Sequence, residues 1–220
     1  MKTSGFLAAA SSVRIVLVPV IMALVVMDDN DAGTLSIVAG VLFAVAAITD
    51  FFDGYLARRW NVTTTLGSFL DTTADKLLVT GVLIALVAVE RVSPWIAMII
   101  IGRELVIMGL RGVVAADGLV MAPSIWGKIK TNVQFLAILL AIVRPDVVVA
   151  GAYADEWLMV AAAVITVGSA IDYLVGFSSA LRASAAEEER AAEEIPEAPE
   201  TTVVGAASRL SAQPTLHSHS

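Results

Sequence analysis

The sequence predicts an all-α integral membrane protein of six transmembrane helices, and three observations carry that prediction. Hydrophobic residues make up 58% of the 220 and charged residues only 16%, against about 25% charged in soluble chains, and the mean hydropathy is +0.83. The apolar residues gather in six runs, each near the ~20 residues that a bilayer crossing needs. Lys and Arg are biased to one set of run ends (Arg14, Arg58, Arg59, Arg111, Lys128, Lys130 and Arg182), with Arg91 and Arg144 at the other, which orients both termini toward the cytoplasm. The absence of cysteine excludes disulfides and thiolate metal sites, and no nucleic-acid-binding pattern is present.

The elements follow in order. Residues 1–12 carry no cleavage pattern and read as an interfacial stub. The first run, 13–27, ends at the acidic turn 28–31, and the second begins near Leu35 and carries into Asp50. After the polar turn 61–65, a third helix runs from about Gly67 to Val89, antiparallel to the second. The turn 90–94 starts a fourth run to about Val114, interrupted by Arg103 and Glu104. Pro123 and Gly127 announce a fifth over 126–143, and Asp155 and Glu156 a sixth that ends near Leu181. Residues 1–181 are thus one six-helix domain. Residues 182–220 hold seven acids and three bases with three prolines and no apolar periodicity, and read as a disordered acidic and polar cytoplasmic tail.

The stretch 50–76 stands apart from this apolar background. It sets Asp50, Asp53, Asp71 and Asp75 among hydrophobic helices. Asp50 and Asp53 share a helix face at i, i+3, and Asp71 and Asp75 share one at i, i+4. The antiparallel arrangement of the second and third helices brings the two pairs to the same end. Four clustered carboxylates in an apolar setting repel one another unless cations neutralise them, and an all-oxygen ligand set suits Mg²⁺ or Mn²⁺. A rival reading pairs the same acids with Arg58, Arg59 and Lys76 only to hold helices together.

A second constellation lies on the fourth and fifth helices: Gly102-Arg103-Glu104-Leu105, Leu110-Arg111, and Gly127-Lys128-x-Lys130-Thr131-x2-Gln134. Arg103 and Arg111 are eight residues apart and so share roughly one face, while Lys128 and Lys130 stand at a helix entrance. Arginine forks and lysine ammoniums match phosphate oxygens. The plain alternative is anchoring of helix ends, although Arg103 lies deep in its run, where an unpaired cation costs about 2.5–3.5 kcal/mol. Pairing with Glu104 is the structural account of that residue.

The spacing Asp50-x2-Asp53-Gly54-x2-Ala57-Arg58-x8-Gly67-x3-Asp71-x3-Asp75 resembles the full signature of the CDP-alcohol phosphotransferase family, membrane enzymes of phospholipid synthesis. The pieces around Arg103, Arg111 and Lys128 to Gln134 resemble the branch of that family that makes phosphatidylglycerophosphate. Of the Pro-Asn-x-Leu-Thr-x2-Arg segment that usually opens the first helix, only Arg14 remains clear. The resemblance implies attack of glycerol 3-phosphate on CDP-diacylglycerol with release of CMP, with the site at the cytoplasmic side of the plasma membrane. It implies that Asp50, Asp53, Asp71 and Asp75 hold divalent ions and that Asp75 also takes the proton of the attacking hydroxyl. Gly54, Ala57, Arg58 and Gly67 would meet the CDP-lipid, and Arg103, Arg111, Lys128 and Lys130 the phosphate of the acceptor. The family also implies a homodimer. Two alternatives stand beside this reading: another acceptor, such as inositol phosphate or phosphatidylglycerol, and a divalent-cation transporter, which has no use for the Gly54, Ala57-Arg58 and Gly67 spacing.

Overall fold

The computed structural model describes the backbone of residues 2–28, 33–60, 65–116 and 125–193; side chains are described over 12–28, 33–49, 70–115, 126–127 and 129–179, and at Arg182, Ala186 and Arg190. Two compact units divide the chain, Met1–Phe177 and Ser178–Ser220. The described residues form six helices: α1 Lys2–Val26, α2 Thr34–Trp60, α3 Thr65–Ala88, α4 Pro94–Ala116, α5 Ile125–Val143 and α6 Ala154–Glu193. A small antiparallel hairpin, β1 Val148–Val149 and β2 Ala152–Tyr153, joins α5 to α6.

Helix boundaries follow local chemistry. Asp28 accepts a hydrogen bond from the backbone N–H of Ser36 at 3.0 Å, which satisfies an orphan donor in the first turn of α2 and places a negative charge at its positive end. Ser93 and Pro94 stand where an N-cap and a first helical residue are favoured, and the Ser93 carbonyl accepts the N–H of Ala97. Helix α3 stops in a Schellman turn: Arg91 N–H reaches the Leu86 carbonyl at 2.9 Å and Glu90 N–H that of Val87 at 3.1 Å, with Glu90 left-handed at φ 58°. The hairpin turns on Ala150 (φ 51°) and Gly151 (φ 86°), the two positive values that a type I′ turn requires.

Three element bounds differ from the hydropathy reading. Helix α1 begins at Lys2, eleven residues before the apolar run, because Phe6, Leu7 and Ala8 to Ala10 form helix readily once the following turns exist. Helix α6 continues to Glu193 because its polar end, rich in Ala, Glu and Arg, is made of strong helix formers. The hairpin gives no sequence signal beyond its glycine, since its strands are two residues each.

Helix α3 is the axis of the bundle, packing against α1, α2, α4 and α5. Leu78, Val79, Val82, Leu83, Ala85 and Leu86 are all buried, and Ile21, Val25, Phe43, Ile100, Ile138 and Ile142 close over them from the other helices. Two glycines permit close approaches between helices. A Cβ at Gly81 would lie 2.6 Å from Val18 Cγ1, and one at Gly40 would lie 2.7 Å from Val143 Cγ2, so α1 meets α3, and α2 meets α5, backbone to side chain. On α6 the buried positions Asp155, Met159, Ala162, Thr166, Ser169 and Tyr173 recur at alternating spacings of four and three, the seam of a helix packed along its length.

The outside of the bundle is apolar. Val16, Val41, Trp95, Met98, Val106, Val164 and Val175 are exposed. Among the described residues one helical stretch, Ala154–Ser179, is long and apolar enough to cross a bilayer, and shorter apolar stretches occupy Ser12–Val26, Thr34–Thr49 and Ile129–Val143. Helices α3 and α4 have the length but are interrupted by Asp71, Asp75 and Lys76 and by Arg103, Glu104 and Arg111.

Candidate active site

The charged residues that interrupt α3 and α4 meet one another. Asp71 and Asp75, one helical turn apart on α3, are both partly exposed, at 40% and 22% of their side chains. Each carboxylate has a cation beside it. Arg14 of α1, almost entirely buried, brings Nη1 to 3.4 Å from Asp71 Oδ1. Lys76 Nζ lies 2.7 Å from Asp75 Oδ2.

From Lys76 the ionic contacts run on across three helices. The same Nζ lies 2.7 Å from Glu104 Oε2 on α4. Glu104 also pairs with Lys130 of α5 through Oε1, and its sequence neighbour Arg103 stands 3.6 Å from that oxygen. Glu104 and Lys130 are buried. One carboxylate therefore faces three cations. Arg103 turns its other end to α6, donating from Nη2 to Ser169 Oγ at 2.9 Å, and Arg111 stacks its guanidinium on the ring of Tyr173, 5.4 Å from the centroid. Arg103 and Arg111 thus point to one side, as their spacing predicts. Near them Gln134 Oε1, Arg103 Nε and Tyr173 Oη are buried without a hydrogen-bond partner among the described residues, so polar capacity remains unused around this cluster.

The predicted residues divide into two groups. Asp71, Asp75, Arg103, Arg111 and Lys130 are described: Asp75, Arg103 and Lys130 are joined through Lys76 and Glu104, while Asp71 pairs with Arg14 and Arg111 with Tyr173. Asp50, Asp53, Gly54, Ala57 and Arg58 lie on the backbone of α2, Gly67 on that of α3 and Lys128 on that of α5, with their side chains outside the described residues. Among the described residues no group of three or more acidic, histidine or cysteine side chains forms a metal site. The donors that are described do fit a hard divalent cation, because Asp71 and Asp75 supply only carboxylate oxygens, share one helix face and keep exposed area.

Two members of the site were given other parts by the sequence. Arg14 reads as an anchoring charge, yet a cation near the start of an apolar run is the kind of residue that needs an internal partner, and that partner is Asp71. Glu104 reads as a local mate for Arg103, whereas its shorter contacts are to Lys76 and Lys130. Partners 28 and 26 residues away leave no local pattern.

The family model described as CDP-alcohol phosphatidyltransferase matches residues 8–168, nearly three quarters of the chain, including Arg14, Asp71, Asp75, Lys76, Arg103, Glu104, Arg111 and Lys130. The chain belongs to the CDP-alcohol phosphatidyltransferase family. Several relatives bear the name CDP-diacylglycerol–glycerol-3-phosphate 3-phosphatidyltransferase. A protein from Bacillus subtilis (strain 168) is 36% identical over 182 residues, covering 78% of this chain and 94% of its own length. One from Salmonella choleraesuis (strain SC-B67) is 39% identical over 166 residues, covering 73% and 88%. One from Escherichia coli (strain K12) is 42% identical over 141 residues, covering 62% and 76%. Membership in a phosphatidyltransferase family removes the transporter reading.

Proposed function

We propose that this enzyme transfers the phosphatidyl group of CDP-diacylglycerol to glycerol 3-phosphate, giving phosphatidylglycerophosphate and CMP. The observation that carries the acceptor assignment is the convergence of Lys76, Arg103 and Lys130 on one buried carboxylate, with Arg111 on the same side of α4. Those cations adjoin the aspartate pair of α3 through Lys76. An acceptor that carries a second phosphate brings two negative charges that the reacting end of the site does not need, and this cluster is where they are balanced. The names of the relatives support the same substrates.

The roles follow from chemistry. Asp50, Asp53, Asp71 and Asp75 hold Mg²⁺ or Mn²⁺, which supplies charge neutralisation of the pyrophosphate and of the leaving CMP. Asp75 accepts the proton of the attacking hydroxyl; its partner Lys76 keeps the carboxylate oriented. Arg14 fixes Asp71 from the buried side. Gly54, Ala57 and Gly67 leave space for the nucleotide, and Arg58 meets its phosphates. Arg103, Arg111, Lys128 and Lys130 bind the acceptor phosphate.

The same proposal places the six helices across the plasma membrane with both termini and the site on the cytoplasmic side. The exposed apolar residues on the outer faces support it, since a contiguous apolar exterior is costly in water. So does the separation of Arg14, Arg111 and Lys130 from Arg91 and Arg144 along the helices.

A test uses the purified protein, CDP-diacylglycerol and a panel of acceptors. Phosphatidylglycerophosphate and CMP are expected with glycerol 3-phosphate, no CMP in chelator, and recovery on adding Mg²⁺ or Mn²⁺. Faster turnover with inositol phosphate or phosphatidylglycerol would replace the acceptor, and full turnover in metal-free buffer would remove the metal.

A further inference from the structure

We infer that Glu104 is a positioning residue for the acceptor, the carboxylate that assembles Lys76, Arg103 and Lys130 from three helices into one phosphate receptor. This rests on the proposed binding of the acceptor phosphate by the same cations. Its basis is an imbalance of charge in a buried place. Lys76 of α3, Arg103 of α4 and Lys130 of α5 are three cations, and among the described residues the carboxylate in contact with all three is Glu104, 5% exposed. Like charges this close repel strongly where water is scarce, so without Glu104 they would splay apart. With it, and with Asp75 on Lys76, the group keeps one positive charge in excess, which favours a phosphate monoester.

The geometry also says how the receptor is tied to the reacting end. Lys76 Nζ sits 2.7 Å from both Glu104 Oε2 and Asp75 Oδ2. Glu104 therefore fixes, through a single ammonium, the distance between the phosphate-binding cations and the aspartate that takes the proton. An acceptor held by its phosphate is placed with its hydroxyl toward Asp75, the kind of alignment on which attack rates depend steeply. Arg103 Nε and Gln134 Oε1, which have no hydrogen-bond partner among the described residues, are further groups that a polar acceptor would satisfy.

Two accounts of Glu104 predict opposite signs. If it only contributed charge, removing it would make the site more positive and bind glycerol 3-phosphate more tightly. If it positions the cations, removing it weakens binding although the net charge rises. Full-length Glu104→Gln, Glu104→Asp and Lys130→Ala proteins, purified beside the unaltered chain, are compared for KM toward each substrate, for kcat and for thermal unfolding. The inference expects Glu104→Gln to raise KM for glycerol 3-phosphate by roughly tenfold or more, with KM for CDP-diacylglycerol unchanged. Glu104→Asp, which keeps the charge, is expected to restore part of that loss.

A lowered or unchanged KM for glycerol 3-phosphate in Glu104→Gln would overturn the inference. So would an equal rise in both KM values together with a lower unfolding temperature, the mark of a merely structural ion pair. If Glu104→Gln does not fold, Glu104→Asp decides by the same split between substrates: a rise confined to glycerol 3-phosphate supports positioning, and no rise overturns it. Lys130→Ala separates the layers. When it raises KM for glycerol 3-phosphate and the Glu104 variants do not, positioning alone fails; when it too leaves that KM unchanged, the acceptor reading fails and the inference with it.

Discussion

Arg91 and Lys130 are both buried cations, and they differ in what surrounds them. Arg91, just past the end of α3, donates from Nη1 to Ser36 Oγ at 2.9 Å and to the Ile142 carbonyl at 2.8 Å, fastening α2 and α5 to the turn between α3 and α4. Lys130, toward the other end of α5, shares its carboxylate partner with two further cations. A guanidinium that donates to oxygens of two helices is a fastener. A lysine in a group with more cations than carboxylates is a receptor for an anion. Burial alone does not distinguish them; the local balance of charge does.

The comparison is broken most severely at the aspartates. Asp71→Asn and Asp75→Asn keep the size of the side chain and remove its charge, so the bundle is expected to stay folded while turnover collapses. For Asp75→Asn a loss of about 10² to 10⁴ in kcat is expected with CDP-diacylglycerol still bound, the range that a general base contributes. Near-normal turnover in either variant, measured as CMP release, would place the chemistry elsewhere.

Next in size is the exchange between fastener and receptor. Arg91→Met leaves Ser36 Oγ and the Ile142 carbonyl without this donor and should destabilise the protein by about 2–4 kcal/mol, with the two KM values unaffected in the protein that remains folded. Thermal unfolding in detergent measures the first and steady-state kinetics the second. A selective rise in KM for glycerol 3-phosphate in this variant would erase the distinction between the two ends of the bundle. The smallest effect is expected at the helix end that Arg91 follows. Glu90 is left-handed at φ 58°, a conformation that disfavours side chains with a Cβ, so Glu90→Gly should stabilise by about 1 kcal/mol. A lower unfolding temperature would mean that the Glu90 side chain has contacts outweighing that strain.

How much of this was legible in the sequence follows from the range of each interaction. The six helices were, because the apolar runs and their Ser, Pro and Asp boundaries are local, and Ser93-Pro94 and Asp28 behave as such signals should. The pairing of Asp71 with Asp75 was legible too, since helical periodicity alone puts them on one face. The common direction of Arg103 and Arg111 was legible for the same reason, though not that Ser169 and Tyr173 would receive them. The shared carboxylate was not. Glu104 meets Lys76 and Lys130 only because α3, α4 and α5 pack together, and the close contact that Gly81 allows with Val18 likewise depends on two helices meeting at one height. The polar end of α6 reads as disordered because its hydropathy is low, and it is helical because Ala, Glu and Arg are strong helix formers.

The most direct test of the receptor reading compares two acceptors that differ only by the group it reads. Purified enzyme with CDP-diacylglycerol and Mg²⁺ is given either glycerol 3-phosphate or glycerol, and the rate of CMP release is measured for each. Rapid release with glycerol 3-phosphate and very little with glycerol is the expected result, because glycerol offers Arg103, Arg111, Lys128 and Lys130 nothing to bind. Equal rates with the two acceptors would contradict the account and reduce those cations to helix anchors.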